Sequence, residues 1–271
     1  MWSAEEIPVL STEQMVEVDR LMIEEYQIDL VQMMENAGRN LAELARRMLG
    51  GQVSGRRIAV LGGAGNNGGG GLVAARHLHN WGAEIGLVLA FEPGRLKEVP
   101  AKQWRILGTM GIEPEDQLDL GKAELIVDAL IGYGLSSDPR QPVAGWIDKA
   151  NFSGTKILAL DAPSGLDTTS GIPGSPCIKA AATLTLALPK SGLLTDQAAE
   201  YIGELYMADI SVPPELYQHI GVGVPNLFES DSIVRITGGG KNGQNARQPG
   251  CNHRIQHNLV PGLQTGKEVS R

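Results

Sequence analysis

The pattern of apolar and polar residues changes character along the chain. The N-terminal part has a helical period. Ser11-Thr12-Glu13-Gln14 has the form of a capping box ahead of Met15, Val18, Leu21 and Met22, so a helix starts there. Asp29 is placed to cap a second helix with the apolar face Val31, Met34, Ala37, Leu41, Leu44 and Met48, stopped by Gly50-Gly51. Short aliphatic runs then take over at residues 57–61, 85–89, 125–127, 157–160 and 183–188, with 205–207 as a possible sixth. Helical spacing returns between them at 72–81, at 101–107 and around Trp146. Several of the runs are continuous rather than alternating. Such strands are buried on both faces, as in a parallel sheet covered by helices. The fold class expected is therefore α/β.

In sheets of this kind a ligand sits beyond the carboxyl ends of the strands. The positions that follow the runs are 63–71, 128–134, 161–165 and Lys190, and the glycine-rich and polar motifs gather there. From about Gly221 the pattern fades, and the last residues hold many Gly, Asn, Gln and Arg. The expected organisation is one domain over 1–220 and a poorly ordered tail over 221–271.

Composition narrows the function classes. Apolar residues make up 42% and aromatics only 4%, so the core is aliphatic. Glycine takes 35 of 271 positions, about twice the usual share, which points to tight turns or backbone approach to a ligand. The net charge of −8 argues against nucleic acid as a partner, but not against a small phosphate compound held by backbone N–H groups. Cys177 and Cys251 form no C-x-x-C pair, which suits a reducing compartment and a cytoplasmic location. The N-terminus lacks a signal-peptide pattern, and the longest apolar stretch, 180–189, is far too short for a membrane span. Cys251, His253 and His257 resemble a ligand cluster but lack a fourth member.

Four constellations carry candidate chemistry. The first is Gly63-Ala64-Gly65-Asn66-Asn67-Gly68-Gly69-Gly70-Gly71, a glycine turn opening a helix, where N–H groups can face an anion. An acid for a ribose hydroxyl would follow the next strand, and Glu92 is a loose candidate. The second is Asp128-Ala129-Leu130-Ile131-Gly132-Tyr133-Gly134, with an acid at a strand end for a phosphate or metal contact. The third is Asp161-Ala162-Pro163-Ser164-Gly165, where partial desolvation suits the carboxyl to proton transfer. The fourth is Pro189-Lys190-Ser191-Gly192, whose lysine can neutralise a phosphate or act as an acid. Each also reads as an ordinary capped turn or, for Lys190, a snorkelling side chain.

Taken together the motifs resemble the NAD(P)H-hydrate epimerase family, or YjeF N-terminal domain family. The matching pieces are Met34-Glu35-Asn36-Ala37-Gly38, the run from Gly65 to Arg76, Asp128-Ala129-Leu130-x-Gly132-x-Gly134, Asp161-x-Pro163-Ser164-Gly165-Leu166-Asp167 and Pro189-Lys190-x-Gly192, all in family order. The resemblance implies a Rossmann-like three-layer fold with a mostly parallel central sheet, extra N-terminal helices and a homodimer. It implies interconversion of the R and S forms of hydrated NADH and NADPH (NADHX and NADPHX), with a separate NAD(P)H-hydrate dehydratase repairing the S form. Substrate contacts map to Asn66, Asn67, Gly68, Gly69 and Gly70, to Gly132, Tyr133, Gly134, Leu135, Ser136, Ser137 and Asp138, and to Asp161. A potassium ion would be held at Asn67, Asp128 and Ser164. Asp161, with Lys190 as helper, would move the proton. The chain departs from the family at Gly70, where an Asp is usual. Two other readings remain open: a nicotinamide-dependent dehydrogenase, and a catalytically impaired binding module.

Overall fold

The computed structural model of the chain describes residues 1–135 and 137–238. Eight strands form one sheet in the order β1-β8-β7-β6-β5-β4-β2-β3. They are β1 (Trp2–Ser3), β2 (Arg57–Gly62), β3 (Glu84–Leu89), β4 (Leu125–Ala129), β5 (Ile157–Leu160), β6 (Ala182–Leu186), β7 (Glu204–Ala208) and β8 (Ile233–Thr237). All neighbours pair in parallel except β7 and β8. The helices are α1 (Thr12–Glu24), α2 (Leu30–Met48), α3 (Asn66–Asn80), α4 (Glu98–Thr109), α5 (Val143–Phe152), α6 (Ala199–Ile202) and α7 (Pro214–His219).

The continuous aliphatic runs are explained by cover on both faces. Successive side chains of a strand alternate between faces. Ile58, Val60, Val127, Leu158 and Leu160 pack against Leu41 and Leu44 of α2, Leu72 and Leu78 of α3, and Leu107 of α4. The alternate residues Ala59, Leu61, Ile126 and Ala159 pack against Trp146 and Ile147 of α5. The result is three layers, with α1 and α2 as the additional N-terminal helices. Ser11 forms the capping box expected of it, and Asp29 stands at the N-cap of α2 as expected, its N–H donating to Gln32 Oε1 at 2.7 Å. No helix of the described residues is long and apolar enough to cross a membrane.

Two expectations are corrected. The helix after the glycine turn starts at Asn66, not 72, so Gly68 to Gly71 lie inside it. Glycine normally weakens a helix, but here it permits close packing. A Cβ on Gly71 would fall 2.5 Å from Ala129 Cβ, one on Gly69 2.4 Å from Met34 Sδ, and one on Gly68 2.0 Å from the Gly63 carbonyl oxygen. The second correction concerns the boundary at 220. Strand β8 pairs antiparallel with β7 and parallel with β1, so the domain runs past 221 to Thr237. An isolated five-residue run after a polar loop gives little periodic signal; its place comes from the open edge of β7. Residues 239–271, with Cys251, His253 and His257, lie outside the described residues.

Gly38 of α2 meets α3 across two backbones: a Cβ there would lie 2.4 Å from Val73 Cβ and 2.6 Å from the Gly70 carbonyl oxygen. Gly38→Ala is expected to destabilise the protein by about 2 kcal/mol or more, since neither helix can yield. Gly70→Ala should be milder, because it meets only the Leu160 methyl at 2.7 Å and gains about 1 kcal/mol of helix propensity. Urea unfolding of both variants checks this; an unshifted midpoint for Gly38→Ala would remove the close-packing account.

Candidate functional site

A cavity of about 840 Å³ opens at the carboxyl ends of the central strands. Of the residues expected to contact substrate, Asn66, Asn67, Gly70, Gly132, Tyr133, Gly134, Leu135, Ser137, Asp138 and Asp161 line it, as does Lys190. Gly68 and Gly69 do not, being turned into the helix contacts described above. Ser136 lies outside the described residues. Glu92 does not line the cavity either, although Arg95 and Lys97 of the same segment do.

The chemical centre is an ion pair. Asp161 follows β5 with φ +67°, a left-handed conformation uncommon for a non-glycine residue and a frequent mark of functional sites. Its N–H is held by the Leu184 carbonyl at 2.7 Å. Asp161 Oδ1 receives Lys190 Nζ at 2.5 Å, and Oδ2 accepts the Tyr133 N–H at 3.1 Å. Lys190 is wholly enclosed, and Nζ also donates to the Leu186 carbonyl at 3.1 Å. The acid expected to move a proton with Lys190 as helper is thus one half of a buried acid–ammonium pair.

Enclosure of Lys190 comes from the start of the chain. Leu10 N–H donates to the Pro189 carbonyl and Ser191 N–H to the Leu10 carbonyl, both at 3.0 Å. Helix α1 then delivers a further acid. Tyr133 Oη donates to Asp19 Oδ2 at 2.5 Å, and Asp19 lines the cavity. Burial raises the Asp19 carboxyl above its usual range, opposed by the Tyr133 hydrogen bond and the Lys190 charge. Burial, then the charge of Asp19, pushes the Tyr133 phenol up. Nothing in the motifs marks Asp19. The signal available was its spacing: it lies four residues after Met15 and three before Met22, on the buried face of the helix.

Asp128 and Ser164 form a sealed brace behind the cavity and do not line it. Ser164 Oγ donates to Asp128 Oδ1 at 2.6 Å, and Ser164 N–H to Oδ2 at 2.8 Å. Ser164 Oγ also accepts the Ile131 N–H at 2.8 Å, tying the loops after β4 and β5 together. Burial pushes the Asp128 carboxyl up to about 6, despite these hydrogen bonds and one from the Leu130 N–H. Asn67 stands apart from this brace in its contacts. Its Nδ2 is buried without a partner among the described residues, and its Oδ1 lies 3.1 Å from where a Cβ on Gly132 would sit. Asp161 Oδ2 is 3.2 Å from the same point, so Gly132 is what lets the amide and the acid approach each other. Among the described residues no group of three or more His, Cys, Asp or Glu could hold a metal ion.

Comparison with known proteins matches residues 30–192 to the family described as YjeF-related protein N-terminus. The NAD(P)H-hydrate epimerase of Dehalogenimonas lykanthroporepellens is 41% identical over 226 residues, 82% of this chain and 90% of that protein. The bifunctional NAD(P)H-hydrate repair enzyme Nnr of Moorella thermoacetica is 37% identical over 219 residues, 77% of this chain but only 41% of that protein. A solved structure of the yeast protein ynu0 superimposes with a TM-score of 0.73 at 25% identity, covering 84% of this chain and 100% of that one.

The ion pair makes a stability prediction. Lys190→Met leaves the Asp161 carboxylate buried without its cation and is expected to cost about 3 kcal/mol or more. The double change Asp161→Asn with Lys190→Met removes both charges and should recover most of that loss. Denaturant unfolding of the three proteins decides it; equal stability of the single and double variants would show that the charges do not depend on each other.

Proposed function

The chain belongs to the YjeF-related N-terminal family, and from that premise we propose that it is an NAD(P)H-hydrate epimerase, an isomerase that interconverts the R and S forms of hydrated NADH and NADPH. The observation that carries this reading is the Asp161–Lys190 pair at the floor of a cavity whose opposite lip is the glycine turn and the start of α3. The turn offers N–H groups at a helix N-terminus for the pyrophosphate. The buried, unpartnered amide of Asn67 offers a further donor to a bound molecule.

The reacting carbon bears a hydroxyl and neighbours the ring nitrogen, so the centre is a carbinolamine. Its configuration is lost when the C–O bond breaks with its electron pair on oxygen. That oxygen takes a proton and departs as water, and the ring nitrogen's lone pair supports the cation left behind. Water then adds to the other face and gives up a proton. The Asp161–Lys190 pair suits both halves: an ammonium proton for the departing oxygen and a carboxylate to accept one from the incoming water. Met33, Ala37 and Leu160 give the cavity an aliphatic wall.

Potassium belongs to the same proposal. Asp128 is a fully buried carboxylate whose hydrogen-bond partners are Ser164 and Leu130, with no cation in an ion pair to it among the described residues. Oxygen donors of Asn67, Asp128 and Ser164 suit a hard cation. Bound there, the ion would supply positive charge that steadies the loops around the substrate. The homodimer is proposed too, supported by exposed Val16 and Ile23, which stand one heptad apart on α1. A separate dehydratase would consume the S form; the Moorella relative, of which this chain spans 41%, is named a bifunctional repair enzyme. The cytoplasm is the proposed location, supported by the free thiol of buried Cys177.

One observation favours the impaired-module reading: at Gly70 the cavity wall carries no side chain, and the Leu160 methyl lies 2.7 Å from where a Cβ would go. Gly70→Asp discriminates. Little change in turnover is expected, whereas a large gain would mark the present chain as an impaired enzyme.

The central test is epimerisation of purified R-hydrate coupled to an S-specific dehydratase. Asp161→Asn should lower turnover by about a hundredfold or more; unchanged turnover would refute the assignment. Potassium has its own readout. The raised Asp128 carboxyl means that ionising it costs stability progressively as pH rises from 3.8 through about 6, a cost constant above that. A bound cation relieves the cost, so potassium should raise the melting temperature more at about pH 7.5 than at about pH 5. Equal effects of sodium and potassium at both pH values would remove the ion from the proposal.

A further inference from the structure

We propose that the end of the cavity beyond β3 is a subsite for a phosphate on the adenosine ribose, so that hydrated NADPH is preferred over hydrated NADH. The inference rests on the epimerase reading and specifies its substrate. It begins from the strand order β5-β4-β2-β3. Asp161 follows β5, the glycine turn follows β2, and residues 90–97 follow β3. Neighbouring strands lie about 4.8 Å apart, so the ends of β5 and β3 are separated by roughly 14 Å. That matches the reach of a dinucleotide from its nicotinamide ring to its adenosine ribose. With the ring at Asp161 and the pyrophosphate at the glycine turn, the ribose falls on the segment after β3.

That segment is cationic where it faces the cavity. Arg95 and Lys97 line it, joined by Arg140 from the loop after β4. None of the three makes an ion pair among the described residues, whereas most other arginines of this part of the chain do. Unpaired cations converging on one cavity are notable in a chain of net charge −8. Arg95 is also oriented: its guanidinium lies over the Phe91 ring, 4.8 Å from the centroid, and Phe91 lines the same wall. Lys97 N–H donates to the Ala64 carbonyl at 3.0 Å, which fastens the segment to the glycine turn.

The acids point the other way. A site for an unphosphorylated ribose holds the 2′-hydroxyl with a carboxylate, whereas an arginine accommodates a 2′-phosphate. Glu92 and Glu98 border the segment but do not line the cavity. Asp138 does line it, but its Oδ1 is engaged by the Ser175 N–H at 3.1 Å. A phosphate dianion would find a planar guanidinium able to donate twice and two further cations.

The test uses calorimetry first. Adenosine 2′,5′-bisphosphate should bind at least about tenfold more tightly than adenosine 5′-monophosphate, and Arg95→Ala with Lys97→Ala should abolish the difference. Both residues are exposed, so the fold is retained, which circular dichroism confirms. In the epimerisation assay, kcat/KM should favour hydrated NADPH by a similar factor, and the ratio should fall towards unity in the double variant. Equal binding of the two probes, or an advantage that survives the double variant, overturns the subsite. Equal turnover of both hydrates would likewise sink this inference and leave the epimerase standing. Turnover of neither hydrate would sink the epimerase reading, while the calorimetry would still answer for the phosphate.

Discussion

The contact between Lys190 and Asp161 is the constraint around which the functional end of the molecule is arranged. Two buried charges at 2.5 Å are tolerable only when every remaining proton and lone pair is engaged. The partners that do this come from distant parts of the chain, Tyr133 from the loop after β4 and Leu186 from the end of β6, while Leu10 of the N-terminal arm closes over Lys190 through backbone hydrogen bonds to Pro189 and Ser191. The arm leads into α1, which brings Asp19 to the phenol of Tyr133. The N-terminal extension therefore completes the site rather than merely flanking it.

A second constraint works through absence of side chains. Helix α3 lies so close to the sheet and to α2 that Gly38, Gly68, Gly69 and Gly71 each stand where a Cβ would collide with a neighbour. Helix α3 loses intrinsic propensity by carrying Gly68, Gly69 and Gly71. In return its N-terminus comes down onto the strand ends, where N–H groups and the Asn67 amide can face a bound phosphate. Gly70 belongs to this row but fills another role. It faces the cavity, and only the Leu160 methyl would meet a side chain there.

The cavity is polarised along its length. The buried acid–ammonium pair sits at the β5 end, the anion-seeking helix terminus in the middle, and unpaired cations at the β3 end. On the proposed reading, this gradient would orient an extended, negatively charged molecule with an uncharged reactive ring. Asp128 and Ser164, braced behind the wall, hold the loops after β4 and β5 in register, so that Gly132 can separate Asn67 from Asp161 by no more than a backbone.

Much of this was legible in the chain as text. Aliphatic runs buried on both faces announce a parallel sheet, the capping box at Ser11 and the cap at Asp29 locate both N-terminal helices, and the motifs at strand ends locate the cavity, because local periodicity and capping chemistry depend on near neighbours. What depends on distant neighbours was not legible. The start of α3 at Asn66 rests on collisions avoided with Met34 and Ala129, strand β8 rests on the open edge of β7, and Asp19 acquires meaning only when α1 folds against Tyr133. Lys190 could be named from the sequence as a helper of Asp161, but their direct ion pair across 29 residues could not. A side chain's charge is written in its own letter, while the company that charge keeps is set by which strands and arms the folded chain places side by side.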